Sequence, residues 1–201
     1  MTLVRYADDA ILSFQYQNEA ERYLAELRMH LLEYGLELNE DKTRLIRFGR
    51  FAALNRAERG EGKPESFPFL GLQPICTENR WGRFEVRRIT DGDRRRRKLQ
   101  VWKQEIRKRM HAPIAETGKW LQSVLRGYYQ YHAVPGNMGV LSRFRHQVAR
   151  YWFRTLSQRS QRRPTWDRLG AIFDHWLPVP RVVHEHPDAR FDARGMASHP
   201  R

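Results

Sequence analysis

Two short apolar runs, residues 3–7 and 10–14, flank the acidic pair Asp8-Asp9. Apolar runs that stop at two turn-forming carboxylates predict a β-hairpin with Asp8 and Asp9 at its tip. Asn18 followed by Glu21 reads as a helix start, a relative of the capping box. Ala20, Tyr23, Leu24, Leu27, Leu31 and Tyr34 then fall at helical spacing, and Gly35 stops the helix. Residues 36–48 predict two short strand-like pieces around Asn39-Glu40-Asp41-Lys42. The charged stretch 50–66, broken by Gly60, Gly62 and Pro64, predicts a surface loop with some helix. Residues 67–76 and 83–89 predict a second hairpin around Asn79-Arg80-Trp81-Gly82.

From Thr90 onward the period lengthens. Leu99, Trp102, Ile106 and Met110 give one helical stripe, and Trp120, Leu121, Val124, Leu125 and Tyr128 a second. Pro135-Gly136-Asn137 breaks the chain, with Asn137 placed to cap the next helix. Leu141, Phe144, Val148, Trp152 and Leu156 form the third stripe. Thr165 caps a short fourth helix bearing Leu169, Ile172, Phe173 and Trp176. Past Pro178 and Pro180 an irregular, mobile tail is expected over 181–201. The expected class is α+β: antiparallel hairpins plus a helix over 1–90, then an all-α unit over 91–180.

Charge sharpens that division. Of 201 residues, 37 are Lys or Arg and 23 Asp or Glu, a net charge of +14. Residues 1–90 carry 14 basic and 14 acidic residues; residues 91–201 carry 23 basic and 9 acidic. The whole excess lies in the helical half, as in a polyanion-binding surface joined to a neutral unit. Arg outnumbers Lys 31 to 6, which suits bidentate phosphate contacts and stacking on bases. The candidate nucleic-acid-binding residues are Arg94, Arg95, Arg96, Arg97, Lys98, Arg107, Lys108, Arg126, Arg143, Arg150, Arg162 and Arg163. Tyr128, Tyr129, Tyr131, Trp152 and Trp166 are interleaved with them, and helical spacing assigns Trp152 and Tyr128 to the core. The 40% hydrophobic content excludes a disordered tail. No run approaches the roughly 18 apolar residues of a membrane span. The single cysteine, Cys76, excludes an internal disulfide and a Cys-based zinc site, reads as a small core residue, and makes a reducing, cytoplasmic setting the default. His184-Glu185-His186 lacks a third ligand at suitable spacing and reads as solvated tail.

The chemistry centres on Asp8 and Asp9. Adjacent carboxylates repel when ionised, and a divalent cation such as Mg²⁺ relieves the repulsion through hard oxygen ligands. Tyr6-Ala7-Asp8-Asp9 between apolar strands resembles the central palm motif of reverse transcriptases. Further segments resemble the bacterial group II intron reverse transcriptase/maturase family, in its order. Gly35-Leu36-Glu37-Leu38-Asn39-Glu40-Asp41-Lys42-Thr43 resembles the next palm motif, and Phe69-Leu70-Gly71 the hairpin that grips the primer end. Arg126-Gly127-Tyr128-Tyr129-Gln130-Tyr131, Val134-Pro135-Gly136-Asn137 and Arg162-Arg163-Pro164-Thr165-Trp166 resemble the thumb or maturase-specific region.

The resemblance implies a partial palm over 1–90 and a helical thumb/maturase unit over 91–180. It implies RNA-directed DNA synthesis by two-metal phosphoryl transfer. Asp8 and Asp9 would bind Mg²⁺, and Lys42 would lie near the triphosphate. Tyr6 and Ala7 would shape the floor under the primer end, held by Phe69, Leu70 and Gly71. Implied partners are group II intron RNA, a template–primer duplex, and an N-terminal reverse transcriptase fragment in trans. That fragment enters because the family's fingers and its other essential palm aspartate precede the Tyr6–Asp9 motif, whereas this sequence begins just before it. The chain alone is therefore expected not to polymerise. Two other readings are a stand-alone intron-RNA-binding splicing factor and a truncated remnant.

Overall fold

The computed structural model describes residues 1–159 and 164–185. Strands β1 (Thr2–Tyr6) and β2 (Asp9–Ser13) pair antiparallel with Tyr6 opposite Asp9. The two-residue turn is Ala7-Asp8, so Asp9 opens β2 instead of sharing the tip with Asp8. Helix α1 (Gln17–Glu33) starts from extended Tyr16, not from Asn18. The Asn18 carboxamide oxygen accepts from the Glu19 N–H inside the first turn, because the chain has already turned helical at Gln17. Gly35 does end the helix: at φ 68° it lets Leu36 N–H reach Leu31 O at 2.9 Å.

Residues 36–48 contain no strand, against the sequence expectation. Asn39 folds that segment locally: its carbonyl accepts from Lys42 and Thr43 N–H, and its side-chain oxygen also accepts from Lys42 N–H. A strand needs a neighbour to complete its hydrogen bonds, and no segment among the described residues pairs with this one. Helix α2 (Ala52–Glu58) supplies the helix expected in the charged stretch. The second hairpin joins β3 (Leu72–Glu78) to β4 (Phe84–Thr90), with Cys76 opposite Val86. Asn79 shapes its turn by accepting from Trp81 and Arg83 N–H. Cys76 is half-buried, its sulfur accepts from Gly49 N–H, and burial raises the thiol pKa.

Helices α3 (Gly92–Lys108), α4 (Ile114–His132), α5 (Met138–Arg159) and α6 (Trp166–Trp176) build the core. Asp91 caps α3 by accepting from Arg94 N–H at 2.8 Å, and Thr165 caps α6. The chain is thus α+β, two small antiparallel hairpins with helices. Helix α5 is the spine: Leu141, Phe144, Val148 and Trp152 are almost fully buried, against Trp102 and Ile106 of α3, Leu121 and Leu125 of α4, and Phe173 of α6. Gly118 of α4 lets the Trp176 ring approach so closely that a Cβ there would sit 2.4 Å from it. Gly118→Ala is expected to cost about 1–3 kcal/mol by overpacking. A urea midpoint equal to that of the parent would show that the ring can move aside.

Residues 1–60 are built differently. Their buried hydrophobic residues are Ala20 and Ala52 alone. Leu3 and Val4 are 54% and 49% exposed. Neighbours in a strand point to opposite faces, so β1 is open on both faces, while Ile11 and Leu12 of β2 are only half-buried.

Candidate nucleic-acid interface

The hairpin tip presents its carboxylates to solvent: Tyr6, Ala7, Asp8 and Asp9 are all exposed. Tyr6 and Asp9 form the last cross-strand pair. Ala7 has φ 50°, a left-handed conformation that costs a side-chain-bearing residue about 1–2 kcal/mol. The Arg5 guanidinium donates to the Ala7 carbonyl at 3.0 Å and supports the turn. Lys42 is exposed in the Asn39 turn, and no contact joins it to the carboxylates among the described residues. Among those residues, no group of three or more His, Cys, Asp or Glu could hold a metal. Two carboxylates on an open turn suit one partly hydrated Mg²⁺. A two-ion clamp needs further acidic ligands.

Leu70 is the other non-glycine residue with positive φ among the described residues, at 49°. It is followed by Gly71 at φ 75°. Phe69 and Leu72 exchange backbone hydrogen bonds of 2.7 and 3.0 Å, closing a tight two-residue turn. Two consecutive left-handed residues match the type I′ hairpin turn. The helical half holds this turn from behind. The Tyr131 hydroxyl of α4 donates to the Leu70 carbonyl, and Asp91 N–H donates to the Gly71 carbonyl at 3.2 Å. A Cβ on Gly71 would lie 3.3 Å from the Arg94 guanidinium. Both non-glycine left-handed residues therefore fall within the two turn motifs, Tyr6–Asp9 and Phe69–Gly71. Sparsely populated backbone persists where the surroundings hold it in place, which singles out such turns as functional candidates.

Thr90 and Asn137 hold β4 to the start of α5. The Asn137 carboxamide oxygen accepts from Thr90 N–H at 3.0 Å, and its nitrogen donates to Thr90 Oγ1 and to the His132 carbonyl. Both side chains are buried. The expected capping role is thus corrected. The Asn137 backbone carbonyl accepts from Val140 and Leu141 N–H at the helix start, but its side chain bridges to a residue 47 positions away. Sequence reasoning missed Thr90 and His132 for the same reason, since their partners lie on other elements, and it missed Asp91 although its cap on Arg94 N–H is local.

The basic residues sort by partner. Arg96 pairs with Asp93, and Lys108 pairs with Glu105. Arg97, Arg107, Arg126, Arg143 and Arg150 are exposed and make no ion pair or side-chain hydrogen bond among the described residues. Arg95 is half-buried beside Tyr128 and likewise lacks a carboxylate partner there. Arg145 is absorbed structurally by Asp174 and the Leu177 carbonyl. Arg162, Arg163 and His186 lie outside the described residues. Trp152 is core, and Tyr128 stacks on Phe144 at 4.4 Å, as their spacing implied. Burial pushes the Tyr128 hydroxyl up to about 12. Val183 N–H donates to the Ala133 carbonyl, and His184 Nε2 lies 2.7 Å from the Gln130 carbonyl, which ties this segment to the end of α4.

Residues 1–73 match the family model for the reverse transcriptase (RNA-dependent DNA polymerase) domain. The matched span contains the Ala7-Asp8 turn, Lys42 and the Leu70-Gly71 turn, and points to reverse-transcriptase-related function. No curated protein matches the chain, and no solved structure does. No helix among the described residues is long and apolar enough to cross a membrane.

Proposed function

We propose that this chain is the C-terminal portion of a group II intron-encoded RNA-directed DNA polymerase, with a helical RNA-binding maturase region that assists intron splicing and mobility. The observation that carries this reading is the reverse transcriptase match over residues 1–73, followed by helices on which Arg97, Arg107, Arg126, Arg143 and Arg150 are exposed without carboxylate partners among the described residues. Asp8 and Asp9 would hold Mg²⁺, which supplies charge stabilisation to phosphoryl transfer. Lys42 would neutralise phosphate charge. Tyr6, Ala7, Phe69, Leu70 and Gly71 would bound the primer end. Arg94 to Lys98, Arg107, Lys108, Arg126, Arg143 and Arg150 would contact RNA or the template–primer duplex, together with Arg162 and Arg163. The open hairpin and the two-carboxylate donor set favour a chain that polymerises only with an N-terminal reverse transcriptase fragment, in a cytoplasmic setting. A second reading, an intron-RNA-binding splicing factor without polymerase activity, is favoured by the concentration of packed core in the basic helices.

Primer extension on an RNA template with Mg²⁺ separates the two. The chain alone is expected to be inactive, and activity gained on adding a fingers-palm fragment should fall at least a hundredfold with Asp8→Ala. Extension that survives Asp8→Ala unchanged overturns the polymerase reading. RNA affinity should meanwhile fall steeply with salt through counterion release and be indifferent to Asp8→Ala. Salt-independent or undetectable RNA binding would overturn both readings.

A further inference from the structure

A cavity of about 230 Å³ opens where the Leu70-Gly71 turn meets α3 and α4. That is smaller than the roughly 300–1,000 Å³ of pockets for drug-sized ligands and fits one small group. Its side chains are those of Leu70, Thr90, Arg94, Lys98, Tyr128, Tyr131 and His132. No carboxylate lines it. Of the two acids nearest in sequence, Asp91 spends its side chain on the α3 cap and Asp93 pairs with Arg96. The two carbonyls of the turn are also engaged, by the Tyr131 hydroxyl and Asp91 N–H.

What remains is a donor set. Arg94 and Lys98 lie one turn apart on α3 and make no ion pair among the described residues. His132 Nδ1 is buried without a hydrogen-bond partner, and the Tyr128 hydroxyl has only a loose contact with the Thr90 side chain. A buried polar atom left unpaired is costly, and here an unpaired imidazole nitrogen and a loosely held hydroxyl sit beside two cations without carboxylate partners. We propose that this cavity is a phosphate-binding site, in which Arg94 and Lys98 pair with the oxyanion and His132 and Tyr128 donate to it. The phosphate would come from a bound nucleic-acid strand, or from free phosphate. The first source rests on the nucleic-acid-binding reading above, whereas the site itself does not.

His132 reports occupancy. Burial first, then the charges of Arg94 and Lys98, lower its pKa to about 4. The other groups facing it are the rings of Tyr128 and Tyr131, at 4.3 and 4.9 Å between centroids. An oxyanion would offset both cations and favour the imidazolium, so the His132 pKa must rise on binding.

The test is NMR titration of the His132 imidazole in the full chain, assigned with His132→Gln. Titrations use chloride at matched ionic strength, inorganic phosphate, and a short single-stranded oligonucleotide. Phosphate and oligonucleotide should each raise the pKa by more than one unit, and chloride should not. The Arg94→Ala/Lys98→Ala variant should start with a higher His132 pKa and lose the response to phosphate. Lys119→Ala, an exposed α4 position that does not line the cavity, should keep it. Response to phosphate with none to an oligonucleotide that binds elsewhere supports the site and assigns it to free phosphate. Response to phosphate in a chain that binds no nucleic acid supports the site and overturns the nucleic-acid reading instead. No response to either ligand, or an equal response in the double variant, overturns the site.

Discussion

Asn137→Ala should destabilise the protein by about 3–5 kcal/mol. The side chain is fully buried and makes three hydrogen bonds, two with Thr90 and one with the His132 carbonyl. Alanine removes all three at once. It leaves the Thr90 amide and the His132 carbonyl without partners and takes one partner from the Thr90 hydroxyl. Each orphaned group costs about 1–3 kcal/mol, and the costs are less than additive because one small cavity serves all of them. The loss should appear as a fall in the urea midpoint without a change in slope. Asn137→Asp should not rescue it. A carboxylate can accept from Thr90 N–H, but it has no donor for the His132 carbonyl and buries a charge. Thr90→Val tests the partner and should cost less, since it strands one carboxamide donor and leaves the Thr90 amide bonded. The consequence extends to function. Thr90 precedes Asp91, which holds the Gly71 carbonyl, so a loosened Thr90 loosens the turn over the phosphate cavity. A loss below about 1 kcal/mol would mean that the junction reorganises freely, and that the cavity geometry does not depend on it.

Legibility in the sequence followed the range of the interactions. Both hairpins and all four core helices were visible, because alternation, helical spacing and turn residues such as Asn79, Gly35 and Thr165 act over a few positions. Residues 36–48 misled because their apolar residues look strand-like, whereas strand formation depends on a pairing partner that composition does not reveal. Asn137 misled in the opposite direction. Its place after a Pro-Gly break suits a cap, but its side chain serves a residue 47 positions earlier. The candidate site divides the same way. The charge imbalance and the Asp8-Asp9 pair are properties of the chain itself. The left-handed backbone at Ala7 and Leu70 was hidden, since Ala and Leu ordinarily avoid positive φ. The arginines could be counted but not sorted. Arg96 with Asp93 is a helical neighbour pair, while Arg145 finds Asp174 only through the packing of α5 and α6.

Amides of β1, β2 and α1 should exchange with solvent about a thousandfold faster, or more, than those in the middle of α5. Exchange from a well-packed core requires opening against most of the global stability. Trp152, Phe144, Val148 and Leu141 place α5 in that class. The first hairpin has no such protection. Two strands alone are marginal in water, and here β1 is exposed on both faces and β2 buries no residue. Helix α1 has 17 residues but buries only Ala20, and helical stability in proteins comes mostly from the packing of an apolar face. The β3–β4 hairpin should fall between, because Thr90 and Gly71 tie it to the helices. Hydrogen exchange followed by mass spectrometry resolves the three classes, and β2 exchanging as slowly as α5 would refute the ordering. The same measurement bears on catalysis. Asp8 and Asp9 can hold a fixed geometry only as well as β1 and β2 hold theirs, so whatever completes the site must also slow exchange there. Adding RNA should protect α3 through α5, where the unpaired arginines lie, and leave β1 and β2 fast. Adding a fingers-palm fragment should slow β1 and β2 by covering Leu3 and Val4. Protection of the hairpin by RNA alone would mean that nucleic acid, not a second polypeptide, organises the carboxylates.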